Sequence, residues 1–232
     1  MTPAVFLLSG SLFVVSAANS EGTDLRPGRY TDLASLVQTE SDKYDVLAQQ
    51  VRELDAEVTN LAAGVKDANV RRFQRKVQSL KDPAGLTPRA GPGLTVTLSD
   101  APEEVLNSST QNPNLLVVHQ QDIQAVVNAM WKGGARAVTV QGQRIVSTTG
   151  IRCEGNSVQL QGVPYPQPYV ISAVGDQAAL EEAIEDDSYL DVYRSQAEQA
   201  DISVGWDVES ETLVTAPPYD GLLDIDYAQP IR

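Results

Sequence analysis

Hydrophobic positions along the 232-residue chain fall into three successive patterns. The first is continuous: Ala4 to Ala18 reads AVFLLSGSLFVVSAA, and no charged residue precedes Glu21. A spanning helix takes about 20 apolar residues and a signal-peptide core about 7–15. A helix signal follows at once, which favours an uncleaved transmembrane anchor over residues 1–20. No Lys or Arg stands before the run, so the usual positive flank is missing, as in a chain that starts partway through its anchor.

The second pattern has a period of seven. Val37, Tyr44, Val51, Val58 and Val65 recur every seventh residue, and Leu33, Glu40, Leu47, Leu54 and Leu61 interleave with them. This spacing predicts a coiled-coil helix within residues 30–81, with an interface of Val37, Tyr44, Leu47, Val51, Leu54, Val58 and Leu61. β-Branched residues at one core position with Leu at the other favour two parallel strands, so the expected assembly is a parallel homodimer. From Leu33 to Val65 the helix would extend roughly 50 Å. Lys66–Lys81 then gathers six basic residues around Phe73, a solvated helix face. Residues 82–93, DPAGLTPRAGPG, hold three Pro and three Gly and read as a linker.

The third pattern mixes periods of two and 3.6 over residues 94–232. Leu94, Val96 and Leu98 alternate with Thr95, Thr97 and Ser99, a half-buried strand. Leu115–Val118 reads as a short apolar strand. Ile123, Val126, Val127, Met130 and Trp131 follow at helical spacing, and Gly133-Gly134 stops that helix. Ala137–Val140 predicts a strand. Ile145–Cys153 and Val158–Leu160 predict a hairpin, and Tyr169–Val174 another strand. Asp176 caps a helix through Leu180 and Ile184, and Ser188 with Asp191 forms a second capping box. Ile202–Trp206 and Thr212–Val214 close the domain as a hairpin. This order fits an α+β domain with a ferredoxin-like βαββαβ sheet carrying an inserted hairpin.

Charge sharpens the division. The chain is formally −14, and residues 151–232 hold sixteen acids against three bases. A nucleic-acid binder presents a basic surface, so none is expected as a partner. One Cys and one His preclude an internal disulfide and a multi-histidine metal site. The acids Glu181, Glu182, Glu185, Asp186, Asp187 and Asp191 lack the spacing of a calcium loop. Phosphate-loop, dinucleotide and nucleophile-elbow motifs are absent from the sequence, and neither a metal nor a cofactor is expected.

The stretches VVHQQDIQAVVNAMWKGGARAVTVQGQRI, STTGIRCEGNSVQLQG and PYVISAVGD resemble the YlxW-like family of uncharacterised bacterial proteins. Its most specific part runs from Asp122 through Gly133-Gly134 and Gly142-Gln143-Arg144 to Thr149, Ile151, Cys153 and Gly155. The resemblance implies a membrane-anchored, extracytoplasmic protein of actinobacteria or firmicutes with a role in division or envelope growth. It brings no catalytic residues.

Three functions follow for test. The first is a non-enzymatic, single-pass scaffold or interaction protein of the cell membrane, its domain outside the cytoplasm and its partners envelope or division proteins. The second is a small-ligand sensor whose site draws on Gln143, Arg144, Thr148 and Thr149. The third is a Cys–His hydrolase, which needs Cys153 and His119 brought together by the fold.

Overall fold

The computed structural model describes residues 29–221 except Lys66 and Asn156. The chain divides into a unit ending at Arg72 and a unit beginning at Phe73.

The first unit is dominated by helix α1 (Arg29–Gly64), 36 residues long. Its apolar stripe is narrow because a heptad seam fills only two positions in seven. The seam residues Tyr44, Leu47, Val51, Leu54, Val58 and Leu61 are each 54–66% exposed. The side chain of Val37 lies outside the described residues, as do residues 1–20. Among the described residues no helix is long and apolar enough to cross a membrane. The N-terminal membrane segment expected from the sequence is thus not part of the described fold, because residues 1–20 lie outside the described residues. Helix α1 ends at Gly64, and a second helix, α2 (Ala68–Lys81), starts anew. Asp67 sets that start: its Oδ1 accepts the backbone N–H groups of Asn69 and Val70 at 2.6 and 3.3 Å, two of the donors a helix N-terminus leaves free.

The second unit is α+β. Its elements are β1 (Arg89–Ser99), α3 (Glu103–Ser108), α4 (Gln120–Lys132), β2 (Ala137–Val140), β3 (Gln143–Ile145), β4 (Ile151–Glu154), β5 (Ser157–Leu160), β6 (Val163–Tyr165), β7 (Tyr169–Val174), α5 (Gln177–Glu185), α6 (Ser188–Ala197) and β8 (Gly205–Ala216). Strand β1 begins inside the Pro- and Gly-rich stretch. One sheet has the order β3-β2-β7-β1-β8 and another β4-β5-β6. Neighbouring strands are antiparallel throughout.

Period-two patterning builds the larger sheet. Leu94, Val96 and Leu98 on β1, with Ile171 and Ala173 on β7, are wholly buried in one cluster with Ile123, Val126 and Met130 of α4 and Leu180 and Leu190 of α5 and α6. The alternate residues Thr95 and Ser172 pair across the strands, their hydroxyls 2.9 Å apart. Gly93 is obligatory at this seam, since a Cβ there would lie 1.9 Å from the carbonyl oxygen of Ala173. Burying a Leu or Ile side chain contributes about 1.5–3 kcal/mol, so this cluster is what holds the unit together.

The expected single ferredoxin-like sheet with an inserted hairpin is thus corrected to two antiparallel sheets, and three local readings change with it. Leu115–Val118 is no strand: Asn112 Oδ1 accepts the Asn114 N–H at 3.1 Å and opens a 3₁₀ turn over Pro113–Leu115. Beyond it the Asp100 carboxylate takes the Val118 N–H at 2.8 Å in place of a ladder bond. The inserted hairpin gains β6 and becomes a three-stranded meander. The closing hairpin is the one twelve-residue strand β8, because residues from Gly205 to Ala216 pair along β1 and hold the chain extended through Asp207–Glu211. Asp187, rather than Ser188, caps α6 by accepting the N–H groups of Tyr189 and Leu190 at 3.0 and 3.1 Å.

Candidate functional site: an arginine-lined cleft

Helix α4 presents two faces. Ile123, Val126 and Met130 are buried in the core. Gln124, Val127, Asn128 and Trp131 lie three, four and seven residues apart, a spacing that aligns them on one side of a helix. They line a cleft of about 800 Å³ together with the Asp82–Gly85 turn, Arg89, the end of β3 with Val146 and Ser147, and Thr149 and Ile151. Arg136, just past the Gly133-Gly134 turn, completes the lining.

Arg144 gives the cleft its character. The residue is 3% exposed. Its Nη1 donates to the carbonyl oxygens of Thr87 and Pro217 at 3.2 and 3.1 Å, tying the loop before β1 to the segment after β8. Among the described residues its Nε is buried without a hydrogen-bond partner. A buried N–H left unmade costs on the order of 1–3 kcal/mol, and more on a charged group. Burial, reinforced by the charge of Arg89, lowers the proton affinity of the guanidinium, and Asp82 opposes the shift; arginine nevertheless stays protonated in proteins.

Asp82 is already engaged. Its Oδ1 accepts the Thr87 hydroxyl at 2.6 Å, and its Oδ2 is bonded to Arg89. The Thr87 hydrogen bond, ahead of the Arg89 charge, holds its carboxyl below the ordinary aspartate value. Among the described residues three arginines therefore line the cleft against one aspartate, within a chain of net charge −14.

Of the four residues predicted to hold a ligand, Arg144 and Thr149 line this cleft. Thr149 closes the preceding turn, its Oγ1 accepting the Val146 N–H at 3.0 Å. Gln143 lies outside the lining and donates to the Tyr165 hydroxyl at 3.0 Å, linking β3 to β6; Thr148 is exposed and also outside it. Arg89, Arg136, Asn128 and Trp131 were not foreseen as site residues. A signal was available for the α4 members, since Gln124, Asn128 and Trp131 fall on one helical stripe. Nothing local marks Arg89 or Arg136.

His119 and Cys153 each bond elsewhere. His119 Nε2 is 2.8 Å from the Asn114 carbonyl oxygen. The exposed Cys153 thiol accepts the Gln120 N–H at 3.3 Å, and Gln120 Oε1 accepts the Cys153 N–H at 2.9 Å. These bonds fasten the meander to the start of α4, a structural use of the cysteine. A smaller hollow of about 190 Å³ lies beside α6. There the Tyr189 hydroxyl donates to Asp122 Oδ1 at 2.7 Å, while Asp122 Oδ2 accepts the His119 N–H at 2.6 Å.

Comparison with known proteins gives the chain its relatives. Residues 76–229 match the model of a family described as bacterial protein of unknown function, DUF881. UPF0749 protein Rv1823 of Mycobacterium tuberculosis is 30% identical over 202 residues, 82% of this chain and 63% of that protein. UPF0749 protein YlxW of Bacillus subtilis is 41% identical over 93 residues, 39% of this chain and 38% of that protein. The chain thus spans less than two thirds of the length of these relatives. A crystal structure of an uncharacterized conserved protein from Mycobacterium tuberculosis aligns with a TM-score of 0.49 at 19% identity, covering 67% of this chain and 99% of that one.

Proposed function

Because the chain belongs to DUF881, a bacterial family of unknown function that takes in YlxW-like proteins of actinobacteria and firmicutes, we propose that it is an interaction module of the cell envelope, paired through α1 and acting by binding rather than by catalysis. The observation that carries this reading is the uncovered seam. Six apolar side chains at heptad spacing, from Tyr44 to Leu61, are each more than half exposed on a single chain. An isolated helix gains little from such a stripe, because most helical stability comes from packing an apolar face. A second copy in parallel register is the self-complementary cover, with β-branched and Leu positions meeting their like.

Placement outside the cytoplasm is supported by the uncharged run Ala4–Ala18 in the sequence. Envelope or division proteins are then the partners within reach. Two tethered copies bind a dimeric partner more tightly than one, provided both can engage.

Sedimentation of the full chain tests the pairing. The expected result is a dimer that Leu54→Asp converts to monomer, since a carboxylate in the seam would lose its water unpaired, at a cost of several kcal/mol. A wild-type monomer at all concentrations would overturn the pairing. Protease added to intact spheroplasts should digest residues 30–232; full protection would place the domain inside.

A further inference from the structure

The Arg144 cleft asks for a ligand that the paired helix does not. We propose that it binds a small aromatic oxyanion, a phosphate or carboxylate head carried on a planar ring. The argument starts from the fixed cation. Arg144 cannot turn to water, because it is 3% exposed and Nη1 is committed to two backbone carbonyls. Among the described residues its Nε finds no acceptor, and Asp82, the acid whose charge bears on it, is spent on Arg89 and Thr87. The guanidinium fork suits the two oxygens of a carboxylate or phosphate.

Two more cations, Arg89 and Arg136, line the same cleft. An excess of one charge between low-dielectric walls focuses the field and concentrates counter-ions. On an otherwise acidic molecule this local reversal excludes cationic ligands and selects anionic ones.

The remaining lining specifies the body of the ligand. Trp131 is 38% exposed although it follows the buried Met130, and it lines the cleft, so it supplies an aromatic surface on which a ring can pack. Asn128 and Thr149 add neutral hydrogen-bonding groups. The volume of about 800 Å³ falls in the range of small-molecule sites. Gly85 closes one side: its φ is +76°, and a Cβ there would lie 2.8 Å from Val146 Cγ1 and 3.7 Å from Arg144 Nη2, so the bare backbone lets the turn pack against the guanidinium.

Titration of the full chain with phenyl phosphate, benzoate, inorganic phosphate and benzyl alcohol, followed by calorimetry and tryptophan fluorescence, decides the matter. The two aromatic anions should bind saturably, inorganic phosphate more weakly, and benzyl alcohol not at all. Arg144→Met should abolish binding. That variant also loses the Thr87 and Pro217 bonds, so Arg136→Gln, at an exposed position, is the cleaner probe and should weaken both aromatic anions about tenfold, the worth of one charge-assisted contact. Trp131→Ala should weaken the aromatic anions while leaving inorganic phosphate unchanged. Absence of saturable binding by both aromatic anions, or equal affinities in wild type, Arg136→Gln and Trp131→Ala, would overturn the proposal.

Discussion

Helix α1 and helix α4 both carry an apolar stripe at helical spacing, yet only one stripe is covered. In α4, Ile123, Val126 and Met130 are wholly buried. In α1, Leu47, Leu54 and Leu61 are exposed by 60% or more. The residue types are alike, and so is the local signal. What differs is the surrounding chain: α4 precedes Gly133-Gly134 and a strand that folds it onto a sheet, whereas α1 runs 36 residues without a break. Periodicity reports which side of an element is apolar. It does not report what covers that side.

The contrast is sharpest under truncation. Ile171→Ala removes a wholly buried side chain between β1 and β2 and should cost the second unit about 2–5 kcal/mol, read from the denaturant midpoint. Leu54→Ala, chemically a similar deletion, should leave that midpoint within about 0.5 kcal/mol while raising the dissociation constant of the proposed dimer. If Leu54→Ala destabilises the second unit as much as Ile171→Ala does, the α1 seam belongs to that unit's core and the distinction between the two stripes collapses.

The same distinction explains how far the sequence could be read. Strands β1, β2 and β7 were legible because Leu94, Val138 and Ile171 sit in runs whose alternation or β-branching survives in the fold. The start of α5 was legible because Asp176 does locally what its type does best, accepting the Ala179 N–H at 3.0 Å. The reading failed where a tertiary partner replaced local geometry, as when Asp100 satisfies the Val118 N–H and makes a strand unnecessary. It also fails at Asp207–Glu211, where Asp207 and Ser210 suggest a turn but the chain stays paired with β1 as one strand. The cleft was half legible. Arg144 and Thr149 stand in a motif-like stretch, but Arg89 and Arg136 reach them only because β1 and β2 flank β7 in one sheet.

The mildest probe of the covered side is a proton. Tyr189 is 48% exposed, yet its phenol is pushed up to about 12, first by partial burial and then by the hydrogen bond to Asp122. The neutral phenol donates to the carboxylate; a phenolate in its place would set two anions 2.7 Å apart. In the unfolded chain a tyrosine titrates near about 10. The folded value lies above the unfolded one, so the stability this contact contributes is present in full below about pH 10 and is lost as the pH rises toward about 12. Solvent screening keeps the effect small at a half-exposed site. Tyr189→Phe should therefore lower stability slightly at neutral pH and flatten its decline above about pH 10. The difference in tyrosinate absorbance between wild type and variant should show one phenol titrating late. A difference curve centred near about 10 would mean that Asp122 is not its partner in solution, and that the face of α6 beside α4 is as open to water as the seam of α1.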